Sequence, residues 1–152
     1  MRGWVWAGAV VIAIGLAPGL RPADAADAPK PHRVVIQVDQ NDPAVMNQAL
    51  NNAENIVEHY NHVGQEVEVE VVAYGPGLHM LRDDTSPVKD RVKRLADDTL
   101  PPIKFSACGV TKAGMEKREG KKVPIVPQAT VVPSGAVRVM ELQERGWSYL
   151  RP

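Results

Sequence analysis

Residues 33–77, RVVIQVDQNDPAVMNQALNNAENIVEHYNHVGQEVEVEVVAYGPG, decide the fold. Arg33 to Asp39 is a compact apolar run of strand length, and its Val and Ile side chains suit a pleated sheet. Asp42 then stands at an N-cap position and Pro43 at the first helical position. Val45, Met46, Ala49, Leu50, Ala53, Ile56, Val57 and Tyr60 recur at helical spacing up to Gly64, so a long amphipathic helix follows the first strand. Glu66-Val67-Glu68-Val69-Glu70-Val71 alternates strictly, as a strand with one wet face does. Val72-Ala73-Tyr74 turns apolar, and Gly75-Pro76-Gly77 ends the strand sharply. The alternation predicts a second strand that starts beyond its helical cover, at a sheet edge.

The same grammar continues downstream. Ser86-Pro87 starts a short helix with Val88, Val92 and Leu95 at i, i+4 and i+7. Ile103 to Ala107 reads as a third strand running into Cys108-Gly109, and the polar segment Thr111 to Glu119 as a helix. Thr130 to Val132 is a fourth strand, Gly135 to Arg145 a helix with Gly146 as its C-cap, and Trp147 to Leu150 a closing strand. Strands alternating with helices imply an α/β fold with a mainly parallel sheet of about five strands, covered on both faces.

Length and composition agree with one such domain. At 152 residues the chain has room for a single core. Its 18 Lys plus Arg balance 18 Asp plus Glu, so no whole-chain field is available to hold nucleic acid or an anionic membrane. One Phe, three Trp and three Tyr leave the core to aliphatic residues and make a base-stacking platform a poor fit. The single cysteine forms no intramolecular disulfide and builds no thiolate metal cage by itself.

Residues 1–25 have a different character. Arg2 supplies a positive start, Trp4 to Leu16 is an uncharged run as long as a signal h-region, and Ala23-Asp24-Ala25 has the small-x-small pattern of a signal-peptidase site. The run is shorter than the about 20 apolar residues that span a bilayer, which leaves no stable membrane anchor after cleavage. A periplasmic or secreted protein is expected, with the domain at 26–152 behind a short proline-bearing tether.

In an open parallel sheet, ligands sit outside the carboxyl ends of the strands. That rule selects Asp39 to Asp42, Gly75 to Gly77, Cys108-Gly109 and Pro133-Ser134-Gly135. The only cysteine therefore falls on the rim, at the start of a helix whose unpaired N–H groups stabilise a thiolate. Lys112 is the nearest cation in sequence, within the basic set Lys112, Lys117, Arg118, Lys121 and Lys122. Two roles stay open for Cys108: a small buried hydrophobe closing the third strand, or a reactive thiol.

Other constellations are thinner. His59 and His62 share a helix face, and His79-Met80 makes a soft copper site only with ligands from elsewhere. Asn47, Asn51, Asn52 and Asn55 are costly for a helix, so they either bond to loops or a partner subunit or form a wet face. Ser134 is not in a G-x-S-x-G elbow, and Gly75-Pro76-Gly77 has neither dinucleotide nor P-loop spacing, so no cofactor is implied.

Taken together, HRVVIQVDQNDP, LNNAENIVEHY, VEVVAYGPGLHML, IKFSACGVT and VVPSGAVRVMELQERGWSYLRP resemble the DsrE/DsrF-like family, of YchN-like fold, and in particular its exported single-domain members. The resemblance covers nearly all of the chain after residue 25. It implies a three-layer α/β/α sandwich, assembly into homo-trimers or hexamers, and a cysteine after a strand that carries sulfur as a persulfide to a partner. Only Cys108 matches that cysteine. On this reading Cys108 is the catalytic or carrier thiol, Gly109, Thr111 and Lys112 stabilise its anion, and Asn52, Tyr74, Gly75 and Gly77 shape the pocket. The partners are then a sulfur donor or acceptor protein, and no metal or cofactor takes part. The alternative is a non-catalytic oligomeric module whose rim pocket takes a small anion or a partner segment. A third reading is a copper or zinc binder through His59, His62, His79 and Met80.

Overall fold

Five strands and four α-helices alternate along the computed structural model, which describes residues 30–152. The expected signal segment lies outside the described residues. Strand β1 (His32–Val38) leads into α1 (Pro43–His62), whose N-cap Asp42 accepts a hydrogen bond from the Ala44 N–H at 2.7 Å. Strand β2 (Val67–Ala73) passes into a 3-10 turn over Gly75–Leu81, then α2 (Lys89–Asp97) and β3 (Lys104–Cys108). Helix α3 (Gly109–Glu119), β4 (Ala129–Val132), α4 (Gly135–Glu144) and β5 (Ser148–Leu150) complete the domain.

All strand pairs are parallel, in the order β4-β3-β2-β1-β5. From β1 to β4 the chain advances one place at a time, whereas β4 to β5 runs back across the whole sheet. Right-handed crossovers therefore put α1, α2 and α3 on one face and α4 alone on the other. The result is a three-layer α/β/α sandwich, as the alternation of elements predicts.

The two faces are packed differently. Val34, Ile36 and Val38 of β1, Val69, Val71 and Ala73 of β2, and Phe105 and Ala107 of β3 form the main core with Met46, Leu50, Ala53, Val92, Leu95 and Met115 from the helices. On the other face Val35 and Val72 form a smaller cluster with Val139 and Leu142 of α4, against which Tyr74 and Trp147 pack.

One expectation is corrected: β2 lies at the centre of the sheet, not at its edge. The strict Glu-Val alternation does mark two faces, with Val67, Val69 and Val71 toward the three helices. The two glutamates inside β2 are matched rather than solvated. Glu68 accepts from Arg33 and Lys104, both at 2.9 Å. Glu70 is 1% exposed and is held by Ser106 Oγ at 2.6 Å and by both ends of the Arg138 guanidinium at 2.8 and 2.7 Å. Burial pushes the Glu70 carboxyl up, but the bonds from Arg138 and Ser106 outweigh it and hold the group below the usual carboxylate range.

Candidate functional site

Cys108 is both the last residue of β3 and the N-cap of α3. Its Sγ accepts a hydrogen bond from the Thr111 N–H at 3.4 Å. Gly135, the first residue of α4, lies against the same side chain: a Cβ there would stand 3.1 Å from the Cβ of Cys108. The N-termini of α3 and α4 thus converge on one sulfur atom, and their partial positive charges favour its thiolate.

The electrostatics follow from that convergence. Burial pushes the Cys108 thiol up, but the Thr111 hydroxyl and the N–H groups of Gly135, Thr111 and Val110 oppose it, and the balance falls below the ordinary thiol value. Little of the thiol faces solvent, since Cys108 is only 4% exposed. Tyr74 is packed beside it, with Cβ and Cδ1 at 2.9 and 3.0 Å from the place of a Gly135 Cβ. Burial, followed by the charges of Asp39 and Tyr149, raises the Tyr74 hydroxyl pKa. Asp39 in turn accepts from Gln37 at 2.9 Å and pairs with Arg151 at 3.2 Å, while the Tyr149 hydroxyl donates to Gln37.

Thr111 links this thiol to its surroundings. Its Oγ1 accepts the Gly75 N–H at 2.9 Å, tying the 3-10 turn to the first turn of α3. Tyr74, Gly75, Thr111 and Cys108 are thereby brought together as the rim rule expects, with Gly109 opening α3 beside them. Gly77 belongs to the packing instead: it is buried, and a Cβ there would collide with the Val38 carbonyl.

Two further candidates are corrected. Lys112 bonds Glu116 at 2.6 Å, one helical turn along, and is not among the main causes of the thiol's shift. An i,i+4 partner on its own helix is a nearer match for its charge than the sulfur. Asn52 lies in the middle of α1, in the three-helix layer, whereas Cys108 turns toward α4 on the opposite face. Its neighbours Asn47 and Asn51 accept from Arg91 of α2 at 2.7 and 2.8 Å, so part of the asparagine row serves helix-helix contact.

The metal reading loses its thioether, since Met80 is fully buried in the main core. His59 and His62 are exposed at the end of α1, and His79 Nδ1 bonds the Thr85 hydroxyl at 2.8 Å. Gly135 is the functional position that residue-type reasoning passed over. Its segment stood out only as a strand end, and the close approach it permits depends on how β3 and β4 are paired.

No family model matches the chain. No curated protein matches it either. Among solved structures it is similar to MTH1491 from Methanobacterium thermoautotrophicum, described as a protein of unknown function. The two share 29% sequence identity over 80% of this chain and 99% of that one, with a TM-score of 0.67. That likeness supports the α/β fold and carries no activity with it.

Proposed function

We propose that this chain is a DsrE-like sulfur carrier in which Cys108 accepts one sulfur atom as a persulfide. The observation that supports the reading is the convergence of the α3 and α4 N-termini on Sγ, with a thiol pKa below its ordinary value. The Cys108 thiolate attacks the terminal sulfur of a polysulfide dianion. A bond forms between the two sulfurs, the next S–S bond breaks, and its electron pair leaves on a polysulfide one sulfur shorter. The Cys108 persulfide then yields its outer sulfur to an acceptor thiolate, and Cys108 departs as thiolate.

Intact-mass spectrometry after polysulfide treatment tests this. A gain of about 32 Da, reversed by a low-molecular-weight thiol and absent in Cys108→Ser, is the expected result. A native thiol that stays inert until denaturant is added overturns it and leaves the non-catalytic binding module in its place.

Self-association and export belong to the same proposal. Val137 and Met140, 49% and 59% exposed on α4, lie on the sparsely covered face of the sheet, where a second copy would bury them. Light scattering should show an assembly larger than one chain, and a monomer at micromolar concentration counts against it. N-terminal sequencing of protein from the cell envelope should begin near Ala26.

A further inference from the structure

A cleft of about 590 Å³ runs between the 3-10 turn and α3, lined by Asn41, Gly75, His79, Thr111, Gly114 and Arg118 among others. No carboxylate lines it. The cations around it are already matched: Lys112 with Glu116, and Arg82 with Asp84 and Glu119. Arg118 has no ion-pair partner among the described residues, and its Nη1 lies 3.5 Å from where a Gly114 Cβ would be, so the absence of a side chain at Gly114 leaves room for the guanidinium along the cleft.

The cleft is also clamped at both ends. At one end Thr111 Oγ1 accepts the Gly75 N–H at 2.9 Å. At the other, the buried Arg82 that follows the turn donates to Glu119 Oε2 at 2.9 Å and to Asp84 at 2.9 and 2.8 Å. These bonds fix the spacing of the two walls at both ends. His79 contributes a ring whose Nδ1 is already engaged by Thr85 at 2.8 Å, leaving Nε2, and Asn41 contributes an amide.

We propose that this cleft binds a small oxyanion, with Arg118 as its charged contact and the His79 ring and the Asn41 amide as further polar contacts. A guanidinium presents a planar fork of N–H groups that suits sulfate or phosphate oxygens, and a lining without carboxylates offers it no internal competitor. Thr111 stands in both the cleft lining and the Cys108 cap, so the cleft and the thiol share one residue. The inference concerns binding alone and goes beyond the sulfur-carrier reading, since it holds with Cys108 replaced.

The test is calorimetric titration of the full protein at low ionic strength with inorganic sulfate and, separately, inorganic phosphate. Wild type and Cys108→Ser should bind at least one of them saturably and alike, whatever the outcome of the polysulfide experiment. Arg118→Gln should weaken that binding about tenfold or more, the scale of one charge-assisted contact. Lys117→Gln removes the same charge from the neighbouring exposed position of α3 and should change binding less than twofold. Equal losses in both variants, no loss in Arg118→Gln, or no saturable binding of either ion up to about 20 mM overturns the proposal. Both positions are exposed on a helix, so the variants keep the fold, which circular dichroism verifies.

Discussion

Gly135 and Cys108 meet so closely that a methyl group on Gly135 would stand 3.1 Å from the Cys108 Cβ and 2.9 Å from that of Tyr74. The start of α4 is thereby brought onto the end of β3, and with it the N–H that helps stabilise the Cys108 thiolate.

Gly135→Ala should therefore act on both stability and the thiol. Overpacking at this contact is expected to cost about 1–3 kcal/mol in urea unfolding. The displaced N–H should also raise the pH midpoint of Cys108 alkylation by iodoacetamide. A variant as stable as wild type, with an unchanged midpoint, would show that the contact relaxes freely.

Thr111 and Lys112 make opposite predictions one residue apart. Thr111→Val removes the hydroxyl that favours the thiolate and should raise the alkylation midpoint. Lys112→Met should leave it unchanged, because the ammonium is bound to Glu116 at 2.6 Å. The depressed thiol pKa also has a stability consequence. Between the folded and the unfolded pKa the unfolded chain binds more protons, so wild type should gain stability over Cys108→Ser as pH rises through that window and lose it as pH falls.

Tyr74→Ala should speed alkylation of the folded protein at fixed pH, because Tyr74 is packed beside a thiol that is 4% exposed. The rate is read against the same variant in denaturant, which gives the fully accessible limit. Equal folded-state rates for variant and wild type would assign access to another route.

Arg138→Met leaves the buried Glu70 carboxylate without its main partner and should cost about 3–5 kcal/mol near neutral pH. In wild type the Glu70 pKa is held down, so its contribution is present above the unfolded carboxylate value and is lost as pH falls through the folded one. In Arg138→Met the folded pKa should move up, making the variant relatively more stable in acid. Chemical denaturation from pH 3 to 7 measures both slopes.

The order of elements could be read from local chemistry. Asp42-Pro43 starts α1 because a cap and a fixed φ act within one turn, and the Val-rich runs of β1 and β2 are recognisable because each residue must suit its own pleat. Parallel pairing and the rim position of Cys108 then follow from topology rules that need only the element order.

The neighbours of each polar group were decided by the tertiary structure. Strict alternation in β2 shows that Glu68 and Glu70 share a face, yet only the sheet order reveals that Arg33, Lys104, Ser106 and Arg138 are there to match them. Lys112 is four residues from Cys108 in sequence, but its charge goes to Glu116, while Gly135 is far along the chain and touches the thiol. Electrostatic and steric contacts depend on distance in space, and a parallel sheet brings together strand ends separated by whole crossover units.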